Sequence, residues 1–287
     1  MEYFFFLQFL LNGIIAGSLY ALVAVGFSLV YTTCKFINFA HGASVILAAY
    51  LMHICIIRLH LRFVTAIIIV IVAVITGGWF YHSYIDSMKN RTTSNNLLII
   101  SITVLVLIEN FLLLFFGTSV KSKFVAQANL RIASLALTAA DLLSIVLMIT
   151  IFLIIFLLMN KTTLGRKLKA VSDHELLSAV HGIDTRKMQK VAFLISSGVA
   201  ALAGILMSML YTIEPFMGTS LMLKGFAGSI IGGVTSVVGS MLGGLFIGIL
   251  EHIGIVFLPS EYKDAITFFF LFVFLLFRKQ GIMGGKI

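Results

Sequence analysis

Long apolar runs dominate this chain and leave it few ways to fold. Eight runs, separated by short polar breaks, span 4–31, 39–57, 63–85, 97–116, 139–159, 191–211, 223–258 and 262–277. About 20 apolar residues in a helix cross the hydrocarbon core of a bilayer, and every run except the short last one is long enough. Hydrophobic residues make up 60% of the chain, above the ~45–50% typical of soluble domains. We therefore predict an all-α, polytopic integral membrane protein.

The length of the chain limits what else it can contain. At about 20 residues per crossing, 287 residues accommodate about eight to ten transmembrane helices and little more. We predict a single transmembrane domain over residues 1–287 with no catalytic domain. The net charge of +9 does not indicate nucleic-acid binding, because the basic residues lie in short loops between apolar runs. Anionic lipid and insertion topology account for them there.

The seventh run, 223–258, is too long for one straight helix and is rich in glycine. Glycine permits a helix to break, and it permits close packing between helix backbones. We predict a broken pair of helices or a re-entrant segment here. Helix packing and a moving gate both require such smooth surfaces, and the sequence does not separate the two roles. The glycines assigned to them are Gly228, Gly232, Gly233, Gly239 and Gly243.

The distribution of lysine and arginine predicts the orientation, because both residues favour cytoplasmic loops. If 160–190 is cytoplasmic, one basic residue in the first inner loop, two in the second, seven in 160–190 and three at the C-terminus give thirteen inside. Five lie outside, and Lys224 and Lys263 are not assigned. The N-terminus is then outside and the C-terminus inside. This requires an odd number of crossings, which is nine if 223–258 crosses twice.

The segment 160–190 is a polar island with seven basic and three acidic residues. Its Ser172-Asp173-His174-Glu175 fits a capping box, which predicts about nine residues of helix beginning near Asp173. Gly182 suits the left-handed position after a helix, and Asp184 or Thr185 suits the cap of the next one. A rigid exposed helix between two spans suits a mechanical linkage. An ordinary connecting loop with a surface helix is the plainer alternative.

Several short motifs resemble those of a known family. Ala179 followed by Gly182-Ile183-Asp184 resembles the coupling loop of bacterial ABC importer permeases. Asn38-Phe39-Ala40-His41-Gly42, Lys224-Gly225-Phe226 and Gly232-Gly233 sharpen the match. Together they resemble the permease subunits of high-affinity branched-chain amino acid importers, over nearly the whole chain.

This resemblance implies an ABC importer permease in the bacterial inner membrane, surrounded by lipid. The implied partners are a second permease subunit in a heterodimer, two cytoplasmic ATP-binding subunits and a periplasmic substrate-binding protein. ATP and Mg would be bound by the ATP-binding subunits, so this chain would hold no cofactor and would not be an enzyme. Branched-chain or related amino acids are the implied substrates, with urea and short amides as the alternative. The residues assigned to coupling with the ATPase are Ser172, Asp173, Glu175, Ala179, Gly182, Ile183 and Asp184.

Polar residues inside apolar runs are candidates for a translocation path. Asn38 and His41 begin the second run, where they predict either a re-entrant or broken helix lining the path, or a helix cap with a buried histidine. Glu109 costs roughly 2.5–3.5 kcal/mol to insert in a helix centre, so we expect it to face the interior. The sequence leaves three roles for Glu109: it lines the path, it pairs with another side chain, or it is protonated. Glu251 and His252 are interpreted as markers of a membrane interface.

Two other classes of protein compete with the ABC importer. In a proton-coupled secondary transporter, Glu109 or His41 would bind the driving proton, and a broken glycine-rich segment is compatible with that class. A single large polar loop with a capped helix favours the ABC class. A multi-span membrane enzyme is disfavoured, because the sequence contains no paired catalytic constellation.

Overall fold

The computed structural model describes residues 2–89, 91–118, 129–132, 135–278 and 281–284. Lys121, Lys123, Lys279 and Lys286, which entered the orientation argument, lie outside this range. The described residues form α-helices joined by short links, and one short antiparallel hairpin pairs Asn129 with Thr138. The elements are α1 (Glu2–Cys34), α2 (Ala40–His53, continued by the π-helical turn Ile54–Arg58), α3 (Phe63–Lys89), α4 (Ser94–Phe116), β1 (Asn129–Ile132), β2 (Leu135–Thr138), α5 (Ala139–Lys161), α6 (Thr163–Asp173), α7 (Glu175–Val180), α8 (Thr185–Leu210), α9 (Met217–Gly232), α10 (Val237–Gly254), a 3-10 turn (Ser260–Tyr262) and α11 (Lys263–Phe277).

The predicted polytopic, all-α membrane architecture is confirmed. Seven helices among the described residues are long and apolar enough to cross a membrane: α1, α2 with its π-helical turn, α3, α4, α5, α8 and α10. Helices α9 and α11 have only 16 and 15 residues, fewer than the ~20 of a full crossing. The count of nine crossings therefore stays a prediction.

Helix α1 forms the centre of the structure. Its side chains from Gly13 to Cys34 are almost all buried, and they pack against α8, α9, α10 and α5. A helix that is apolar on every side is suited to this position, because none of its faces needs water. Helices α3, α4 and α5 lie at the periphery and expose apolar side chains such as Val72, Leu107 and Leu153. Such side chains are compatible with surrounding lipid.

The glycine-rich run is broken into two helices, as predicted. Helix α9 ends at Gly232, and α10 begins at Val237. The link starts at Gly233, whose φ of 103° is disfavoured for any side chain with a Cβ. Helices α9 and α10 return antiparallel to each other, and a Cβ on Gly228 would lie 2.7 Å from the Gly244 Cα. The two backbones are therefore in direct contact.

The other predicted glycines lie in the same contact. Gly232 faces the backbone of Gly239, and Gly243 faces that of Gly228. On the next face of α10, a Cβ on Gly244 would lie 2.6 Å from the Ala21 Cα of α1. Small residues thus bring three helices together at backbone distance, which is how helices associate in a bilayer.

The link between α1 and α2 has irregular backbone, and it lies deeper in the helix bundle than the nearby ends of α3 and α4. The Phe39 amide donates to Ser101 Oγ at 3.0 Å, and Ser101 is seven residues inside α4. Tyr81, eight residues before the end of α3, donates its hydroxyl to Asn38 Oδ1 at 3.2 Å. At 1.5 Å per residue, the link is about 10 Å deeper than those helix ends. Irregular backbone at such depth requires polar partners, and Ser101 supplies one.

Candidate functional site

The polar island 160–190 contains two helices, α6 and α7, rather than one. The predicted capping box is wrong: Ser172 and Asp173 form the last turn of α6, and α7 begins at Glu175 after a His174 cap whose side chain makes no capping bond. The Glu175 carboxylate has tertiary partners instead of the backbone amide. Helix α7 therefore has six residues instead of about nine. Ser172 and Asp173 line a cleft of about 270 Å³ between α1, α5 and the α9–α10 link.

The end of α7 is fixed by backbone hydrogen bonds. Gly182 has a φ of 78°, and its amide donates to the Ala179 carbonyl at 3.0 Å. The Ile183 amide donates to the Ser178 carbonyl, also at 3.0 Å. This pair of bonds is the Schellman motif that closes a helix at a left-handed residue. Asp184 then caps α8 by accepting a hydrogen bond from the Lys187 amide at 3.0 Å.

The surface of α7 is unusually apolar for a helix in a polar loop. Leu176 and Val180 are each 83% exposed, and Leu177 is 55% exposed. On the opposite face, Ser178 is buried. Leu176 and Val180 are four residues apart and therefore share one side of the helix. Exposed apolar side chains placed together in this way are typical of a protein-interaction surface.

The first residue of α7 is bonded to the body of the protein. Lys89, the last residue of α3, donates from Nζ to both Glu175 carboxylate oxygens, at 2.8 and 3.1 Å. Gln189 Nε2 of α8 donates to Glu175 Oε1 at 2.9 Å. The same Gln189 nitrogen lies 3.3 Å from the Thr33 carbonyl at the end of α1. One carboxylate thus connects α7 with α3 and, through Gln189, with α1.

Asn38 and His41 are both buried, but they face different helices. Asn38 lies in the α1–α2 link and meets Tyr81 of α3, whereas His41 is in the first turn of α2. His41 Nδ1 lies 3.1 Å from Ser196 Oγ of α8, and its ring packs against Gly26 of α1. Because α2 begins at Ala40, the two side chains do not share a helix face.

Glu109 faces the interior and binds the start of α9. Its Oε1 accepts a hydrogen bond from the Thr219 amide at 2.7 Å, and its Oε2 accepts from the Thr219 hydroxyl at 2.8 Å. Thr219 is in the first turn of α9, where backbone amides have no partner within the helix and the dipole favours an anion. Phe216, the residue that precedes α9, supplies no side-chain cap. The carboxylate of α4 therefore caps α9.

A buried ion network between α1, α9, α10 and α11 was missed by sequence reasoning. Lys224 Nζ lies 3.0 Å from Glu251 Oε1 and 2.9 Å from Asp264 Oδ1. The Tyr20 hydroxyl donates to Glu251 Oε1 at 3.3 Å, and Thr267 Oγ1 lies 3.5 Å from Glu251 Oε2. The Glu251 side chain is only 1% exposed, so Glu251 pairs inside the protein, and its position at a membrane interface stays an interpretation. The sequence did contain a signal for this pair, because Lys224 and Glu251 carry opposite charges within the same apolar run, 223–258.

A cleft of about 160 Å³ lies beside this network. Tyr20, Lys224 and Glu251 contribute its polar lining, together with His252, and apolar side chains such as Met207 contribute the rest. Lys224 already has two carboxylate partners, so the network is complete without a ligand. Among the described residues, no group of three or more His, Cys, Asp and Glu side chains is placed to hold a metal ion.

The fold and the loop define a polytopic α-helical membrane protein with a structured, apolar-faced helix between two spans. Residues 9–275 match the family described as the branched-chain amino acid transport system permease component. The chain therefore belongs to that family, as the sequence motifs predicted.

Individual relatives match over nearly their full length. The chain is 30% identical to the high-affinity branched-chain amino acid transport system permease protein BraD of Pseudomonas aeruginosa, over 99% of this chain and 97% of that protein. It is 29% identical to LivH of Escherichia coli K12, a permease protein with the same description, over the same shares. Among solved structures, PsaBC from Streptococcus pneumoniae in complex with Fab matches with a TM-score of 0.53 and 13% identity, over 95% of this chain and 93% of that one. That last likeness concerns the fold alone.

Proposed function

We propose that this chain is the transmembrane permease subunit of an ABC importer for branched-chain or related amino acids in a bacterial inner membrane. The observation that carries the proposal is α7, a short helix that is closed by a Schellman motif and exposes Leu176 and Val180. A partner that covers these side chains would remove apolar surface from water. The substrate class follows from the relatives BraD and LivH, which are permease proteins of branched-chain amino acid transport systems.

The proposed complex contains further subunits. Two ATP-binding subunits on the cytoplasmic side would hold ATP and Mg and perform the hydrolysis, each docking on the α7 helix of one permease. The chain would act as one transmembrane domain, paired with a second permease subunit and supplied by a periplasmic substrate-binding protein. Asn38, His41 and Glu109 are proposed to line the translocation path. The paired glycines of α9 and α10 are proposed to serve helix packing or gating.

The first prediction tests α7 through its C-terminal glycine. Replacing Gly182 with valine is expected to misplace the end of α7, because β-branched residues are strongly disfavoured at a φ of 78°. A Cβ at this position would meet nothing within 4 Å, so the effect would come from backbone strain alone. We expect Gly182→Val to reduce ATPase co-purification and uptake in reconstituted complexes.

Gly182→Asn is the matched control, because asparagine adopts the left-handed region more readily than other residues with a Cβ. We expect it to retain most of the uptake. Normal substrate-stimulated ATP hydrolysis and normal uptake in Gly182→Val complexes would count against the docking role of α7.

The second prediction separates the importer from a proton-coupled transporter. Glu109→Gln retains a side-chain oxygen that accepts from the Thr219 amide, so we expect the protein to assemble and to keep uptake within about threefold of the parent, as for the loss of one hydrogen bond. Glu109→Leu leaves the first turn of α9 without its cap, so it should lower the thermal stability more than Glu109→Gln does. Complete loss of uptake in a well-assembled Glu109→Gln protein would instead favour a proton-carrying carboxylate.

A further inference from the structure

We propose that Glu175 and Gln189 form a polar tether that transmits the movement of α7 to the inner ends of α1 and α3. This inference rests on the proposed function, because it gives α7 a mechanical task. It assigns positioning roles to two side chains. Helix α7 would be the element that an ATP-binding subunit moves, and the tether would carry that displacement into the membrane domain.

The geometry of the tether joins three elements at one carboxylate. Lys89 Nζ, at the end of α3, donates to Glu175 Oε1 at 2.8 Å. Gln189 Nε2, near the start of α8, donates to the same oxygen at 2.9 Å. Gln189 Nε2 also donates to the Thr33 carbonyl, in the last turn of α1, at 3.3 Å. Hydrogen bonds to an ionised group are stronger than those between neutral groups.

The Gln189–Thr33 end of this connection is buried. Gln189 is 3% exposed and Thr33 is 1% exposed, so water does not readily replace the hydrogen bond between them, whereas the Glu175 side chain is 36% exposed. Carbonyls in the last turn of a helix have no partner within the helix, and the Gln189 amide satisfies that of Thr33. If α7 moved alone, a buried amide would lose its charged acceptor, which is unfavourable. Helix α7 and the end of α1 are therefore expected to move together.

The end of α1 leads directly to the proposed path. Two residues after Thr33, Lys35 has a φ of 58°, a left-handed conformation that is uncommon for a residue with a Cβ. The irregular link then reaches Asn38, which is bonded to Tyr81 of α3. Because α3 also carries Lys89, the tether reaches both sides of the link. A displacement at Glu175 can thus change the position of Asn38.

The experiment removes the connection of the tether to α1, and it leaves the Lys89–Glu175 pair and the docking surface in place. Gln189→Met keeps the length of the side chain but eliminates its amide, and Leu176 and Val180 are unchanged. ATP hydrolysis and substrate uptake would be measured in the same proteoliposomes containing the complete importer. We expect hydrolysis to stay within about twofold, whereas uptake per ATP hydrolysed falls at least about fivefold, the lower range of coupling between linked sites.

The control is Ser208→Ala on the same helix. Ser208 is fully buried, and within the described part of the chain its hydroxyl bonds only the Ile205 carbonyl of the same helix, at 2.6 Å. This variant also loses a buried polar group, but it breaks no link between helices. We expect its uptake per ATP to equal that of the parent, so a general weakening of α8 would be distinguished from loss of the tether.

A second readout follows the end of α1 directly. Cys34 is next to Thr33 and is buried, and Cys55 is the other free cysteine. In a Cys55→Ser background, we expect the rate of Cys34 labelling by a small thiol reagent to change when the complex is trapped with ATP. In Gln189→Met that change should shrink to less than about twofold, because α1 no longer follows α7.

The outcomes separate the two proposals. Unchanged uptake per ATP and an unchanged Cys34 response in Gln189→Met would overturn the tether while leaving the importer intact. A parent complex without ATP-driven uptake would overturn the proposed function and the tether with it. If Gln189→Met does not assemble, Glu175→Met is the substitute, because it keeps the length of the side chain but removes both oxygens that accept from Lys89 and Gln189. A parent-like ratio of uptake to hydrolysis in that variant would also overturn the tether.

Discussion

Lys224→Met is expected to strongly reduce the accumulation of folded protein in the membrane. The substitution leaves the Glu251 carboxylate, 1% exposed, without its cation. Removing one partner of a buried ion pair typically costs about 3–5 kcal/mol, a large share of the ~5–15 kcal/mol that stabilises a protein. The measurement is the yield of detergent-extracted, monodisperse protein, followed by the temperature at which it unfolds.

The matched control removes both charges. Lys224→Met combined with Glu251→Met replaces the pair by apolar side chains, which is often neutral for a buried pair. We expect the double variant to recover most of the yield that Lys224→Met loses. Asp264→Asn should have a smaller effect than Lys224→Met, since the Asp264 side chain is 58% exposed. Equal losses in the single and double variants would show that the charge pair does not account for the effect.

Charges on the exposed face of α7 are expected to prevent association with an ATP-binding subunit. Leu176→Glu combined with Val180→Glu places two carboxylates where each parent side chain is 83% exposed. Because neither side chain packs inside the protein, yield and thermal stability should stay close to the parent values. Burying the new carboxylates under a partner would require their desolvation, so co-purification should fall at least about tenfold, equivalent to about 1.4 kcal/mol.

The control for this variant is a similar substitution far from α7. Leu258→Glu introduces a carboxylate at an apolar position that is 48% exposed beyond the end of α10. The predicted orientation places it on the outer side, away from any cytoplasmic ATPase. We expect the parent level of co-purification. Parent-level co-purification of the α7 double variant as well would show that the partner docks elsewhere.

The sequence predicted correctly those features that are determined by residues close together in the chain. Apolar runs predicted the spans, because crossing a bilayer depends mainly on length and hydropathy. Gly233 lies at the break between α9 and α10, and Gly182 closes α7, since both positions have a positive φ. Asp184 caps α8 because its carboxylate needs only an amide three residues later.

Tertiary contacts decided the features that the sequence did not predict. The capping box at Ser172 fits the local pattern, but Glu175 instead pairs with Lys89, 86 residues earlier. The pairing of Lys224 with Glu251 depends on how α9 and α10 pack, which no local pattern specifies. Asn38 and His41 were assigned to one path, but the start of α2 at Ala40 turns them toward different helices, α3 and α8.

The central claim is that partner subunits drive uptake with ATP and that α7 receives the force. Its most direct test measures uptake of a branched-chain amino acid by proteoliposomes that contain this chain, its partner permease, the ATP-binding subunits and the binding protein. ATP would be supplied on the side of the ATP-binding subunits, with and without a protonophore, while the ATP concentration is monitored. We predict that uptake requires ATP and persists when the protonophore removes the proton gradient. Uptake that proceeds without ATP, or that collapses with the protonophore while ATP stays constant, would contradict the account.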